Sequence, residues 1–512
     1  MDLPLMIASK GVNLKKPITY KPKHAIIQDL IDFINRRTPI INNEKTKKEE
    51  VPLKVDRLAL FNSAIATAIA QGEKEMGEEH ITDLDSYLKF ADDFIEWTPT
   101  VSSKGDEVLR KLLVFYWPFN QQELSDLQTP IAPAFTDTDL RWLSYWLVAY
   151  ARRLGEYMST PESVGNIWSF YTSHQYGQGP GDADKGTKYD KGDRYEQWKT
   201  PEGGWKSFNQ WFSREWANID YSRPLDGEGD DKVIVQDADS VFNGHWDINN
   251  GIVHIDPADS KSAEVSIRIK GIDWPIKDLV RTIDGDTTYD NGSFTHAFLG
   301  PTDYHRQHAP VEGKVVLAKN IQEQVYLQVA QSTTKDGKTT ISPERDIVVS
   351  PQELQRRLEN TTKLEEKTNS KSQEDLLALY RSNNNLEKNQ SEQPSANGPK
   401  PDVGITAPDH AGYQWCQTRG LIVIDTSYDS KGNKKSVDHG NVAVLPIGMA
   451  HVSSVVLTVK EGQFLEKGQN ISYFQFGGSD IVTVFQKRPT YRDDLKAGTT
   501  KLHIREKVAE WK

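Results

Sequence analysis

The chain has few of the features that mark secreted, membrane-spanning or nucleic-acid-binding proteins. It has a single cysteine, Cys416, which excludes an internal disulfide framework and indicates a reducing compartment. No apolar run approaches the roughly 18 residues of a membrane-spanning helix, and the N-terminus lacks the basic and apolar regions of a signal peptide. Positive charge is also in deficit, because the net charge is −11 over 512 residues, which disfavours binding to nucleic acid or to anionic lipid through a basic surface. We therefore expect a soluble, cytoplasmic protein.

The spacing of apolar residues changes along the chain from helical to β-type. Residues 1–54 are mostly polar and are predicted to form an N-terminal extension. Residues 55–204 have apolar residues at helical spacing, and a long loop rich in Gly and Asp occupies 171–204. Residues 205–512 contain short β-branched runs between turn residues, which predict a β-rich domain. Within it, a polar stretch at about 352–400 predicts a disordered insertion. The expected fold class is α+β, with a helical N-terminal region before a β-rich domain.

The most informative segment is Phe476-Gly477-Gly478-Ser479-Asp480, which lies between two runs with β-strand character, 471–476 and 481–485. Two glycines before a serine allow a tight turn and let another group approach the Gly478 carbonyl closely. A serine at a strained glycine corner between strands is a candidate nucleophile. The pattern therefore predicts a site of chemistry at Ser479.

A second segment contains two histidines three residues apart, His305 and His308, ahead of a strand-like run at 314–317. Histidine is the side chain that exchanges protons near neutral pH, so the pair is a candidate acid–base site. Ordinary hydrogen bonding by two loop histidines is an equally good interpretation of the residues alone. His-x-x-His can also present two metal ligands, but no third ligand follows at a diagnostic spacing, so we predict no metal. Further histidines that could serve as ligands are His296, His410 and His451.

A third segment is the acidic turn 236–240, which follows the strand-like run 233–235 and contains Asp239. An Asp in such a position could orient an imidazole and stabilise its cationic form, as in Ser-His-Asp catalysis. By itself, an acidic turn after a strand is usually just solvated. Cys416 is an alternative thiol nucleophile, although a lone cysteine is more often a small packed residue.

Asp239, the His305/His308 pair and Gly478-Ser479, in this order, resemble the phosphatidylserine decarboxylase family of pyruvoyl enzymes. The resemblance covers roughly residues 205–510, apart from the polar insertion. It includes an entry motif of aromatic residues, Arg and Arg-Pro at 207–225 and the histidine loop at 303–310. It also includes a pair of strands at 442–455 and the glycine turns at 461–468 that precede the Gly-Ser motif. The helical N-terminal region resembles that of a soluble fungal-type branch, which includes L-tryptophan decarboxylases.

The resemblance implies that the chain cleaves itself between Gly478 and Ser479. His308, oriented by Asp239, would take the proton of the Ser479 hydroxyl, and the oxygen would attack the Gly478 carbonyl to form an ester. Elimination would then split the chain into residues 1–478 and 479–512, which are expected to stay associated. A pyruvoyl group would replace Ser479 and serve as the covalent cofactor.

The resemblance also implies the reaction of the mature enzyme. The pyruvoyl ketone would form a Schiff base with a substrate amine and accept the electrons left when CO2 departs. His305 would return a proton to the carbanion, and an amine would be released. The substrate is either phosphatidylserine, giving phosphatidylethanolamine, or a free aromatic L-amino acid, which the lack of a membrane span and of a basic surface favours. A homodimer is a further expectation from the family, and peripheral membrane contact stays open.

Two residues depart from the family pattern. Asp480 stands where a small hydroxyl residue usually follows the cleavage serine, and Ser240 replaces the Gly that usually follows Asp239. Neither change removes a reacting group, but both bear on the efficiency of processing. Two other functions stay open. A serine hydrolase would use Asp239, His308 and Ser479, but the Gly-x-Ser-x-Gly elbow is lacking, and the other alternative is an uncleaved, inactive scaffold.

Overall fold

The computed structural model describes a helical front and a β-rich back. The described residues are 13–36, 56–102, 105–173, 187–189, 197–255, 272–281, 286–300, 302–333, 339–344, 412–449 and 455–512. Helices make up the regular structure before residue 223, and strands predominate from residue 233 onward. The α+β class is therefore confirmed. The insertion predicted at about 352–400 and much of the loop predicted at 171–204 lie outside the described residues, and the domain boundaries stay a proposal.

The front of the chain consists of short helices that bury one apolar side each. The α-helices are α1 (Ala25–Asn35), α2 (Arg57–Gln71), α3 (Glu73–Glu78), α4 (Leu84–Ile95), α5 (Glu107–Tyr116), α6 (Gln122–Ser125), α7 (Trp142–Tyr157), α8 (Ile167–Thr172), α9 (Phe208–Phe212), α10 (Ile219–Ser222) and α11 (Ile276–Val280). Single 3₁₀ turns occur at Pro118–Asn120, Pro133–Phe135, Pro161–Val164 and Tyr413–Cys416. α1 lies within the extension predicted as polar, where apolar residues at helical spacing give it a buried side.

The back of the chain is formed by antiparallel strands. They are β1 (Val233–Val235), β2 (Ser240–Asn249), β3 (Ile252–Ile255), β4 (Ile272–Pro275), β5 (Ser293–Leu299), β6 (Arg306–His308), β7 (Gly313–Ile321), β8 (Gln328–Thr333), β9 (Thr339–Glu344), β10 (Arg419–Asp425), β11 (Asn441–Met449), β12 (Val455–Leu457), β13 (Phe464–Leu465), β14 (Asn470–Phe474), β15 (Gly478–Phe485), β16 (Thr490–Tyr491), β17 (Lys501–Leu502) and β18 (Lys507–Glu510). The largest sheet has the order β13-β7-β10-β11-β15-β5-β2-β3-β4, with β17 paired to β2. Smaller sheets have the orders β1-β18-β16, β12-β14-β6 and β8-β9.

The central strands of the large sheet are covered on both faces. Because successive side chains of a strand point to opposite faces, each strand contributes to two cores. In β15, Ile481 and Phe485 join the core that continues into the helical front, whereas Val482 and Val484 join a second core on the other face. This explains why these strands read as nearly continuous apolar runs in the sequence.

The second core contains one fully buried cation, Arg419 at the start of β10. Its guanidinium donates hydrogen bonds to the main-chain carbonyls of Leu279, Asp278, Trp415 and Gln417, at 2.8–3.2 Å. These carbonyls belong to the C-terminal half of α11 and to the segment 415–417 before β10. Arg419 therefore joins α11 to this segment by satisfying polar groups that burial would otherwise leave unpaired.

We predict that Arg419→Leu strongly destabilises the fold, by about 3 kcal/mol or more, because several buried carbonyls lose their donors together. The measurement is the urea dependence of unfolding, followed by tryptophan fluorescence. Arg153→Leu is the matched control, since Arg153 is an exposed residue of α7 whose guanidinium pairs with Glu156. Equal unfolding midpoints for the two variants would contradict the role assigned to Arg419.

Candidate active site

The Gly-Gly-Ser segment lies where β15 enters the large sheet. Gly477 has a φ of 147°, a backbone conformation that residues with side chains rarely adopt. β15 then begins at Gly478, and Ser479 pairs with Gly448 of β11 on one side and with Leu299 of β5 on the other. The predicted corner therefore lies just before Gly478, and the Gly478–Ser479 bond itself belongs to a central strand.

The segment that leads into β15 is tied to the helical front. The main-chain N–H of Phe476 donates to Asn209 Oδ1 at 2.8 Å. Asn209 belongs to α9, and its amide nitrogen donates to the Gly155 carbonyl and to Ser159 Oγ of the preceding helical region. The approach to the Gly478–Ser479 bond is therefore positioned by both parts of the chain.

His305 lies beside this segment in an apolar environment. Its carbonyl accepts a hydrogen bond from the N–H of Phe474 at 2.9 Å, and its ring stacks on Phe212 with 3.8 Å between ring centroids. The carbonyls of Gly300 and Asp303 face the ring, but neither ring nitrogen completes a hydrogen bond among the described residues. Burial, followed by the nearby positive charge of the Arg214 guanidinium, holds the pKa of His305 well below its ordinary value. His305 is therefore a neutral, buried imidazole.

His308 is the last residue of β6, which pairs with β14. Its Nδ1 lies 2.7 Å from the Gly468 carbonyl oxygen, and its Nε2 lies 3.2 Å from the Tyr304 hydroxyl. Its main-chain N–H donates to the Asp237 carbonyl at 2.8 Å. Burial, assisted by Arg505 and Arg306, lowers the pKa of His308 to about 4. His308 is therefore also neutral near pH 7.

Asp239 precedes β2 and is held by a cation. Its two carboxylate oxygens accept hydrogen bonds from the Arg223 guanidinium at 2.6–3.1 Å, and one of them accepts from the N–H of Ile504 at 2.9 Å. Burial alone would raise the pKa of Asp239, but Arg223, and then His503, hold it below its ordinary value. Asp239 is therefore a buried carboxylate with its charge compensated.

The structure brings Asp239 close enough to His308 for an electrostatic interaction, but their hydrogen bonds differ from those predicted from the sequence. Asp239 and His308 influence each other electrostatically, yet the ring of His308 is oriented by the Gly468 carbonyl and the Tyr304 hydroxyl rather than by the carboxylate. The Asp239 carboxylate, which was predicted to orient His308, is instead bound to the Arg223 guanidinium. The catalytic roles predicted for Asp239, His305, His308 and Ser479 stay predictions.

One acidic residue of this region, Asp237, was not singled out from the sequence. Its carboxylate accepts a hydrogen bond from the Thr483 hydroxyl of β15 and another from Gln236 Nε2 at 3.2 Å. Because its main-chain carbonyl also accepts a hydrogen bond from the N–H of His308, Asp237 joins β15 to β6. Burial raises its pKa to about 6. The sequence shows two acids in one turn, and no local signal indicates which of them faces β15.

The two departures from the family pattern are both buried. Asp480 accepts a hydrogen bond from the Tyr413 hydroxyl and lies 3.6 Å from His296 Nε2, which Gln414 contacts at 2.9 Å. Ser240 donates its hydroxyl to the Ala238 carbonyl at 2.9 Å and accepts from Gln236. Each polar group thus has a partner within the fold.

Two other sequence interpretations can be placed. Cys416 is buried, and burial raises the pKa of its thiol to about 12, which opposes a role as a thiolate nucleophile. In the part of the chain that the structure describes, no group of three His, Cys, Asp or Glu side chains is arranged to hold a metal ion. Of the further histidines considered, His410 and His451 lie outside that part. No helix among the described residues has the length and apolar character needed to cross a membrane.

Comparison with known proteins finds related sequences across the β-rich region. A family model described as phosphatidylserine decarboxylase matches residues 208–510, more than half of the chain. The phosphatidylserine decarboxylase proenzyme 3 of Schizosaccharomyces pombe is 22% identical over 312 residues, which are 60% of this chain and 22% of that protein. The L-tryptophan decarboxylase of Psilocybe cubensis is 23% identical over 314 residues, which are 61% of this chain and 54% of that protein.

A bacterial relative is matched over more of its own length. The phosphatidylserine decarboxylase proenzyme of Fusobacterium nucleatum is 22% identical over 353 residues, 69% of this chain and 76% of that protein. The matched part of this chain spans only 22% of the length of the fission yeast relative and 54% of the length of the Psilocybe cubensis relative. Identities of this size leave the details of the site to be argued from its own residues.

We predict that Asp237→Asn changes the pH dependence of stability. The folded-state pKa of about 6 exceeds the ordinary value, so protonated Asp237 stabilises the fold fully below about pH 4, and this contribution is lost as the pH rises through 6. Relative to wild type, the Asn variant should gain up to about 3 kcal/mol between about pH 4 and 7. Urea unfolding at several pH values measures this, with exposed Asp139→Asn as the control. Parallel curves for wild type and Asp237→Asn would refute the prediction.

Proposed function

The chain belongs to the phosphatidylserine decarboxylase family, and we propose that it is a self-processing decarboxylase that makes a pyruvoyl group from Ser479. The observation that carries the proposal is the placement of the Gly478–Ser479 bond. This bond lies in a central strand beside Leu299 of β5, and the chain that follows β5 carries His305 in the loop and His308 in β6. Both histidines are buried and neutral, which is the state that a proton acceptor requires.

His308 is suited to act as the base in self-cleavage. A carbonyl oxygen can only accept a hydrogen bond, so the contact with Gly468 assigns the ring proton to Nδ1 and leaves the lone pair on Nε2. In the proposed step, Nε2 takes the proton of the Ser479 hydroxyl while the oxygen attacks the Gly478 carbonyl carbon. The carbon–nitrogen bond breaks, the proton passes to the released amine, and an ester joins the two residues.

The second stage of self-cleavage eliminates this ester. Loss of the α-proton of residue 479 breaks the bond to the ester oxygen, which frees the Gly478 carboxylate and leaves dehydroalanine. Addition of water and loss of ammonia then give the ketone. Asp239 would act on these steps through Arg223, because its carboxylate is bound to that guanidinium.

The residues present fit a pyruvoyl group at position 479. His305 offers two buried ring nitrogens that complete no hydrogen bond among the described residues, at a cost that a bound substrate would remove. The pyruvoyl group would supply a carbonyl that takes up the substrate amine and accepts the electrons released with CO2. His305 would return a proton to the substrate carbon, and the aromatic ring of Phe212 would exclude water from it.

The two products of cleavage would stay associated, because every strand of the smaller one is paired with the larger one or within itself. β15 lies between β11 and β5, β17 pairs with β2, and β18 pairs with β1 and β16. Separation of the chains would remove a central strand from the large sheet and expose both cores. The fold can therefore tolerate the loss of one peptide bond.

For the substrate, we favour a free aromatic L-amino acid over phosphatidylserine. The ring of His305 lies against Phe212, which packs edge-on against Phe476, and Phe208 lies beside both. This aromatic wall suits an apolar aromatic side chain, and the similarity to an L-tryptophan decarboxylase over 61% of this chain supports the same choice. A homodimer and a cytoplasmic location remain expectations from the sequence.

We predict that self-cleavage produces a fragment 479–512 with a blocked N-terminus, which separates from the larger chain on denaturation, and that Ser479→Ala and His308→Ala abolish the cleavage. His305→Ala should cleave normally, and its turnover should fall by about 10²–10⁴-fold, because it loses only the proton donor. Intact-mass spectrometry and gel electrophoresis measure the cleavage. Exposed His254→Ala is the histidine control.

The outcomes of this experiment separate the candidate functions. An intact wild-type chain that hydrolyses esters would indicate the serine hydrolase, and an intact, inert chain would indicate the scaffold. Cleavage in His308→Ala but not in His305→Ala would reverse the assigned roles.

We predict that the cleaved protein releases CO2 from carboxyl-labelled L-tryptophan or L-tyrosine faster than from phosphatidylserine in vesicles. The apolar wall beside His305 provides the reason, since it offers an aromatic surface to the side chain. Phe212→Ala should therefore raise KM for the amino acid more than it changes the extent of cleavage. Activity on phosphatidylserine alone would overturn the preferred substrate without affecting the self-processing proposal.

A further inference from the structure

The lone pair that His308 needs for self-cleavage is already occupied in this structure. Because Nδ1 donates to the Gly468 carbonyl, Nε2 must be the acceptor in its contact with Tyr304, and the Tyr304 hydroxyl is the donor. The hydroxyl and the ring are both buried, so water does not compete for this hydrogen bond. A base whose lone pair holds one proton donor must release that donor before it accepts a proton from another.

Tyr304 is held in place by neighbouring aromatic rings. It stacks on Trp216 with 5.5 Å between centroids, and Trp198 lies parallel to it at 6.1 Å. The guanidinium of Arg223, which is bound to Asp239, lies over the ring of Trp216, 4.4 Å from its centroid. Trp216 therefore lies between Tyr304 and the buried Arg223–Asp239 ion pair.

We propose that Tyr304 caps the proton-accepting nitrogen of His308 and thereby restrains self-cleavage in the precursor. The inference rests on the proposed self-processing function and adds a positioning residue to it. Tyr304 acts through His308 only: its hydroxyl must turn away before Nε2 can receive the Ser479 proton. The Arg223–Trp216 contact sets how firmly the tyrosine is held, which gives Asp239 an indirect influence on the rate.

The cap also influences the pH at which His308 titrates. A donor to the neutral imidazole disfavours the protonated form, so the Tyr304 hydroxyl lowers the pKa of His308. The other groups that act on His308 are its burial, the Gly468 carbonyl, the guanidinium groups of Arg505 and Arg306, and the Asp239 carboxylate. None of these groups is altered when only the hydroxyl of Tyr304 is removed.

The test is Tyr304→Phe, which keeps the stacked ring and removes the hydroxyl. The full-length chain is synthesised in a cell-free system, and the fraction cleaved at Gly478–Ser479 is followed with time between about pH 4 and 8. Loss of one hydrogen bond should raise the cleavage rate at neutral pH by roughly three- to tenfold. At low pH the cleavage rate falls as His308 becomes protonated, and in the variant this fall should occur at a pH about 0.5–1 unit higher. A shift of this size in the pKa of His308 corresponds to the same three- to tenfold factor.

Tyr150→Phe is the matched control, because it removes a buried hydroxyl of the helical front, bonded to the Ala91 carbonyl, and should leave rate and profile unchanged. A folded Tyr304→Phe chain that cleaves no faster than wild type, or whose rate falls at the same low pH as in wild type, would overturn the proposal. Failure of the wild-type chain to cleave would instead overturn the self-processing function.

A second variant keeps the proposal testable should Tyr304→Phe fail to fold. Site-specific replacement of Tyr304 by 3,5-difluorotyrosine retains the shape and makes the hydroxyl a stronger donor. Cleavage should then be slower than in wild type at a pH where the phenol stays protonated. An unchanged or faster rate in this chain would refute the cap.

Discussion

The arrangement of the site depends on the pairing of β15 with both of its neighbours. The register with β5 holds position 479 opposite Leu299, and only five residues separate Leu299 from His305. The register with β11 holds the other side of the same bond. A bond held in this way cannot shift along the sheet without moving every later side chain of the strand to the opposite core. The two apolar cores therefore fix the position of the Gly478–Ser479 bond between β11 and β5.

Burial gives the charged and neutral groups of this region distinct states. His305 and His308 lose the stabilisation that water gives to an imidazolium, so both stay neutral. Asp239 loses the same stabilisation but keeps its charge, because Arg223 is bound to both of its oxygens. Asp237 faces a hydroxyl rather than a cation, and its pKa rises to about 6. The pKa values of Asp237 and Asp239 are thus shifted in opposite directions, although one residue separates them, because Asp237 contacts a hydroxyl and Asp239 contacts a cation.

The two residues that depart from the family pattern, Asp480 and Ser240, are each accommodated by polar partners within the fold. Asp480 shares a sheet face with Val482 and contacts Tyr413, whereas Thr483 on the opposite face contacts Asp237. The large sheet therefore separates the polar cluster around Asp480 from Asp237, the acid that joins β15 to β6. Ser240 is accommodated because its hydroxyl accepts a hydrogen bond from Gln236 Nε2 and donates one to the Ala238 carbonyl.

The sequence alone determined the α+β class and the strand character on either side of the glycine pair, and it supplied the candidate residues Asp239, His305, His308 and Ser479. The class and the strand character follow from local periodicity and turn chemistry, and the candidate residues follow from short motifs and their order along the chain. Which group contacts which was decided only by the tertiary structure. Arg223 binds Asp239, Tyr304 and Gly468 bind His308, and Thr483 binds Asp237, and several of these pairs are far apart in sequence. Such contacts depend on strand register and on the direction of each buried side chain, and a linear pattern carries neither.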